Sequence, residues 1–232
     1  MQTMFLRRRT TLIALAGLTP LVACSPRPDT AFAASRKPAA MIQASVSASA
    51  PRVALRLTVA PTGSAARYRV REQLVSLDLP NDAVGETKNI TGAIAFDSEG
   101  KVLRDASKFT VDAGTFVSDR DRRDRFVRGN LLEVERFPTV VMVPTTITGV
   151  SFPLPTSGSR PIQITGDLTV RGVTRPTIWK GTAQFSSGNV AVAATTAFTF
   201  DDFQIEQPSV PVLLSVADTI RLEINVNLVP QK

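Results

Sequence analysis

Between Gly166 and Phe185 the chain alternates apolar and polar residues, breaks once, and resumes the alternation. Leu168 and Val170 alternate with Thr169 and Arg171, and Thr177, Trp179, Gly181, Ala183 and Phe185 then share one phase. A period of two places one set of side chains on one face of an extended strand, whereas a helix would spread the same set around its axis. Gly172 supplies the break. Pro176 has no amide hydrogen to give to a ladder, so it is expected at the first position of the returning strand. The segment reads as a β-hairpin with one apolar face.

From Val53 onward the same period recurs. Tyr68 and Val70 alternate with Arg67, Arg69 and Arg71; Ile90, Gly92, Ile94 and Phe96 run into a turn at Asp97-Ser98-Glu99-Gly100; Phe109, Val111 and Ala113 oppose Lys108, Thr110 and Asp112. Val140 and Met142, Ile162 and Ile164, Phe198 and Phe200, and Ile220, Leu222, Ile224, Val226 and Leu228 continue it. About eight such segments separated by turn residues predict an all-β chain whose antiparallel sheet hides its edges by closing into a barrel. A two-sheet sandwich fits the same alternation. Gly92, Gly166, Gly181, Ala113 and Ala183 fall in phase with the large apolar residues, and small inward residues would leave room inside a barrel of this size.

Residues Asp119 to Arg136 break the pattern with a dense mix of charges followed by Phe126, Val127, Leu131, Leu132 and Val134. One or two short helices are expected there, interrupted at Gly129-Asn130, forming a charged cap with an apolar underside. A catalytic carboxylate cluster is the competing reading, but Asp and Arg spaced this closely would pair with one another.

Composition narrows the chemistry. The chain has no histidine, so a histidine general base, a Ser-His-Asp or Cys-His arrangement and the commonest metal ligand are all removed. No catalytic residue, metal or cofactor is assigned. Taking Arg7, Arg8 and Arg9 from the 27 basic residues leaves 24 against 20 acidic ones, a mild excess interleaved along the chain. That is a poor footprint for nucleic acid.

The words Gly166-Asp167-Leu168-Thr169-Val170-Arg171-Gly172-Val173-Thr174-Arg175-Pro176 resemble the signature hairpin of the YceI-like family. Arg123-Asp124-Arg125-Phe126-Val127-Arg128 is similar to its R-D-x-x-aliphatic-R segment, and Phe137-Pro138 to its aromatic-proline step into the next strand. Gly92 to Asp97, Ala194 to Phe203 and Asp218 to Leu222 agree in order and spacing, so the resemblance covers residues 66 to 230. It implies an exported, lipocalin-shaped barrel that binds polyisoprenoid lipid. It makes the inward-facing set the candidate ligand-binding wall: Ile94, Phe109, Val111, Val140, Met142, Ile164, Leu168, Val170, Trp179, Phe198, Phe200 and Leu222. Four features depart from the common pattern: Arg171 in place of a frequent histidine, Asn130-Leu131-Leu132-Glu133 in place of an aromatic pair before an acid, Gln204 after Phe203, and a longer proline-rich loop through Ser151-Phe152-Pro153-Leu154-Pro155.

The N-terminus carries a basic Arg7-Arg8-Arg9 and a short apolar run from Thr10 to Leu18, the form of a secretory signal and too short to span a bilayer stably. The adjacent arginines are compatible with twin-arginine export. Leu21-Val22-Ala23-Cys24 resembles a bacterial lipobox, in which Cys24, the only cysteine, would be lipidated; cleavage at Ala31-Phe32-Ala33 is the alternative. The expected organisation is a lipoprotein-type signal peptide at 1–23, a flexible Ala/Ser/Pro tether at 24–50 and one barrel domain at 51–232. The expected location is the periplasmic or other extracytoplasmic face of a bacterial membrane, with the anchor at Cys24 as membrane partner and the pairing of two copies left open. Three functions follow: a carrier of a polyisoprenoid or isoprenoid quinone, a filled barrel acting as an envelope stress or assembly module, and a carboxylate enzyme using Asp119, Asp121, Asp124, Asp201 or Asp202.

Overall fold

The computed structural model describes residues 52–231, so the expected signal peptide, Cys24 and the tether lie outside the described residues. Ten strands follow in order: β1 (Leu55–Val59), β2 (Ala65–Leu74), β3 (Asn81–Thr87), β4 (Ile90–Phe96), β5 (Lys108–Asp112), β6 (Thr139–Thr148), β7 (Ser157–Val170), β8 (Val173–Ser186), β9 (Asn189–Thr199) and β10 (Leu213–Pro230). Eight of them close an antiparallel barrel in the order β1-β4-β5-β6-β7-β8-β9-β10, and β10 returns to β1. The expected barrel is therefore the fold, and the sandwich is not.

Closure depends on the length of β10. One edge of its 18 residues pairs with β9 from Thr219↔Thr199 to Leu228↔Val190. The other edge serves two strands in succession, β2 from Leu213↔Leu74 to Asn225↔Ala65 and then β1 from Leu228↔Val59 to Pro230↔Leu57. The β2–β3 hairpin thus builds the wall above β1, and a Glu86↔Val117 bridge ties β3 to the segment after β5. Strands β1 and β3 are missing from the sequence expectation. The residues Asn81-Asp82-Ala83-Val84-Gly85-Glu86-Thr87 alternate weakly because the inward positions are small or polar.

In the β7–β8 hairpin every second residue from Ile162 to Val170 is buried, and Thr177, Trp179, Ala183 and Phe185 continue the face on the returning strand. The turn is shorter than the proline suggested. Val170 pairs directly with Val173, leaving Arg171 (φ 50°) and Gly172 (φ 76°) as a two-residue left-handed turn whose twist matches that of the strands. Pro176 is therefore the fourth residue of β8, opposite Asp167. It is tolerated there because the β8–β9 ladder reaches only to Lys180↔Thr195, so no neighbour on that edge asks for its missing amide hydrogen.

Two further expectations need correction. Gly129-Asn130 does not interrupt the helical region: α1 (Asp121–Phe126) runs directly into a π-helical turn over Val127–Leu131, and the chain leaves it at Glu133 with φ 48°. The inward glycines also make no room in the barrel. A Cβ on Gly181 would strike the backbone of Ala193 and Ala194, one on Gly166 would meet Val143 and Pro144, and one on Gly92 would meet Lys108 and Phe109. These glycines let neighbouring strands approach and coil. Ala113, almost fully buried, sits in a 3-10 turn after β5 instead of on the strand.

Gly181→Ala places a methyl group against the neighbouring strand's backbone, which cannot yield as a side-chain tip can. It is expected to destabilise the domain by about 1–3 kcal/mol, the usual cost of overpacking. A urea unfolding midpoint equal to that of the parent would show that the strands part freely.

Candidate functional site

The barrel is hollow. An apolar cavity of about 850 Å³ runs through it. All twelve residues of the predicted wall line this cavity, including Phe200, which lies just beyond the end of β9. The filled-barrel arrangement is thus not the one observed. Alternation put these side chains on one face, and closure brought that face together around a common space.

The polar handles of the wall are largely occupied by the protein itself. The indole Nε1–H of Trp179 donates to Thr177 Oγ1 at 3.0 Å, and that hydroxyl donates to the carbonyl of Gly166 at 3.2 Å. Trp179 therefore presents a greasy surface with its N–H satisfied. At one end of the barrel Val150 and Leu154, from the proline-rich connection between β6 and β7, reach the cavity, and the neighbouring Phe152 ring lies 6.2 Å from that of Phe96. The opposite end is covered by the helical region, which contributes Phe126, Val127, Leu131 and Leu132 from its apolar underside.

Sequence reasoning placed a charged cap over an apolar layer but missed how it is fastened. Arg123 reaches Glu72 of β2 at 2.6 Å, and both side chains are nearly buried. A buried pair of this kind contributes little net stability, yet losing one partner would strand a charge at a cost of about 3–5 kcal/mol. Asp124 accepts from Ser118 N (2.9 Å) and Ser118 Oγ (2.6 Å), holding the entry to α1. At the far end of the helical region Glu133 bonds Arg171 of the β7–β8 turn, and Arg171 donates to the carbonyl of Gln204 at 3.2 Å. Three of the positions that depart from the family pattern therefore meet at one corner of the cap. No single stretch of sequence signals this, because the residues come from three separate connections.

The cavity's polar groups gather at the capped end. Glu72, Arg120, Arg122 and Arg123 lie on its wall there, Tyr68, Arg67 and Glu223 follow along the β2–β10 side, and none was predicted. Among the described residues lining the cavity the carboxylates are Glu72, paired with Arg123, and Glu223, which accepts from Arg69 Nε at 3.0 Å. The acids considered for catalysis, Asp119, Asp121, Asp124, Asp201 and Asp202, are not part of the wall. Asp119 pairs with Arg123, and Asp202 accepts the Thr199 amide at 2.8 Å.

Tyr68 is the only tyrosine in the chain, and its ring lies across Gly85 of the paired strand, where a Cβ would collide with it. Burial raises its phenol to about 12, helped by Asp124, Glu72 and Asp119 and opposed by Arg123. Because the folded pKa is raised, the associated stability is complete below the unfolded value of about 10 and is lost as pH rises from there toward 12. The phenolate absorbance of the folded protein is expected to appear near pH 12 and to move down to about 10 in concentrated urea. A folded-state midpoint at the ordinary value would place the ring in water.

The comparisons with known proteins agree with this geometry. The family model described as YceI-like domain matches residues 57–228. A UPF0312 protein of Pseudomonas putida is 29% identical over 157 residues, covering 64% of this chain and 74% of the relative, and one of Shewanella denitrificans is 28% identical over 144 residues, covering 57% and 69%. Among solved structures, a polyisoprenoid binding domain from Saccharophagus degradans implicated in plant cell wall breakdown is similar with a TM-score of 0.59 at 12% identity, over 78% of this chain and all of that one. Burkholderia cenocepacia BcnA is similar with a TM-score of 0.52 at 15% identity, covering 71% and 95% of the two chains. The likeness to these structures is one of fold. With the family match spanning nearly the whole barrel, this chain belongs to the YceI-like domain family.

Proposed function

We propose that this protein is an exported, membrane-tethered carrier that sequesters a polyisoprenoid or isoprenoid-quinone lipid inside its barrel, without chemistry of its own. The observation that carries this reading is the apolar cavity of about 850 Å³, a size usual for a site that buries most of an extended small ligand. An eight-stranded barrel is just wide enough for one slender guest. The polyisoprenoid binding domain of Saccharophagus degradans, which shares the fold, supports a prenyl guest.

The energetics favour shielding over extraction. Burying a prenyl chain gains about 0.8 kcal/mol per methylene relative to water, but almost nothing relative to a bilayer that is already apolar. A carrier of this kind is useful where the lipid must cross or wait in an aqueous compartment. A lipidated Cys24 would hold the barrel beside its membrane, and two or more acyl chains would make that anchoring practically permanent.

Organic extraction of the protein purified from its native host, followed by mass spectrometry, is expected to yield a prenyl lipid, and consistently empty extracts would refute the carrier reading. Leu168, 2% exposed and central on the wall, is the sharpest probe. Leu168→Arg turns a charge into an apolar space without a partner and should abolish lipid recovery, whereas Trp179→Ala should only reduce it; circular dichroism of both variants separates lost binding from lost folding. Replacing Cys24 with Ser should release the protein from the membrane fraction, and unchanged fractionation would remove the lipid anchor from the proposal.

A further inference from the structure

Beyond the last pair with β9, β10 continues from Asp218 back to Leu213 paired only with β2, and its start is joined to the β2–β3 loop by a hydrogen bond from Val75 N to the carbonyl of Val212 at 3.0 Å. The two connections form a lip at the capped end of the barrel. Large apolar side chains crowd it in the open: Leu79 is 76% exposed, Leu214 64%, Val75 60% and Val212 46%, with Leu77 beside them. They account for most of the exposed large apolar residues of the described chain. Isolated apolar residues on a surface need no explanation, but a cluster on one projecting edge does.

Two observations specify what would cover it. Val75, Val212 and Leu213 also line the cavity, so the apolar surface runs without a break from the interior to the rim. Arg120 and Arg122, both exposed, line the same mouth, while the alternating Asp119 and Asp121 do not. Arg123, the third arginine there, is committed to Glu72 and Asp119, whereas Arg120 meets Asp119 only in a long, exposed pair at 3.6 Å, which is weak enough to exchange for a lipid phosphate. Apolar tips beside guanidinium groups match the layering of a phospholipid surface, where acyl chains lie beneath phosphates that arginine binds in a forked geometry. The carboxylates near the lip include Asp78 of the β2–β3 loop, Glu206 of the β9–β10 connection, and Asp119 and Asp121 beside the two arginines; all four are exposed and would stay in water.

We propose that this lip is a membrane-docking surface, seating the mouth of the cavity on a phospholipid bilayer with Leu77, Leu79, Val75, Val212 and Leu214 at the acyl boundary and Arg120 and Arg122 on lipid phosphates. Docked in this way, the cavity opens toward lipid instead of water. A guest could then pass between bilayer and barrel without exposing its chain.

The test uses the full chain with Cys24→Ser, labelled with an environment-sensitive fluorophore through a thiol placed by Leu79→Cys or, at the opposite end of the barrel, by Ser187→Cys. Vesicles of phosphatidylcholine and phosphatidylglycerol are expected to brighten and blue-shift the probe at position 79 and to leave the one at 187 unchanged. Because the leader is the same in both chains, equal responses, or none at either position, would overturn the proposal. With the probe at 79, Leu77→Asp combined with Leu214→Asp should weaken vesicle binding at least tenfold. Arg120→Ser and Arg122→Ser should each weaken it about fivefold, an effect that salt erases. Undiminished vesicle affinity in the leucine variant would equally overturn it, because the bilayer would then be held by another surface. Lipid recovered from the purified chain is independent of these readouts, so docking and carriage fail separately.

Discussion

A barrel of this size stands or falls on one strand with more neighbours than usual. β10 satisfies β9 along one edge and divides the other between β2 and β1, so the ladder closes on itself, and open edge remains at β3, tied by the Glu86↔Val117 bridge, and at the first residues of β10. Without that division the sheet would have ten strands in a row and two exposed ends. With it, the apolar faces are forced to look at one another across a closed space. The cavity, the cap and the lip all depend on where β10 changes partner.

The cap illustrates how polar contacts fix geometry without adding much stability. Arg123–Glu72 and Glu133–Arg171 hold the two ends of one helical region to β2 and to the β7–β8 turn. Their net energies are small because desolvation offsets attraction. Their directional hydrogen bonds nevertheless set where Leu131 and Leu132 enter the cavity, and hence its shape at that end. The opposite end is closed by Val150 and Leu154 from a connection without regular structure. The guest would therefore meet a wall of regular strands, one charged end and one apolar end, an arrangement suited to a molecule with a polar head and a long tail.

Local alternation in β4, β7, β8 and β10 was enough to make the all-β class legible from the residues alone, because a period of two has a single structural meaning once one face is buried. It also placed the twelve wall residues on a common face. It did not reveal β3, whose inward positions are small or polar, nor the function of the glycines, which depends on how near the adjacent backbone comes. The local pattern puts Pro176 at the start of the returning strand and not at its fourth residue, because its tolerance is decided by where β9 departs, a fact of the neighbouring strand.

What the residues determined by themselves was therefore the strand class, the inward face, the charged helical cap and the family, since each rests on side chains close together in the chain. Whether the inward faces enclose a void or fill it was settled only by the three-dimensional arrangement. Strand tilt, the shared edge of β10 and the close approaches at Gly166 and Gly181 set the barrel's width, and none of them is a property of any one segment. The same is true of the arginines at the mouth and the corner joining Glu133, Arg171 and Gln204. Residues far apart in sequence acquire a common chemistry only when closure fixes the distances between them.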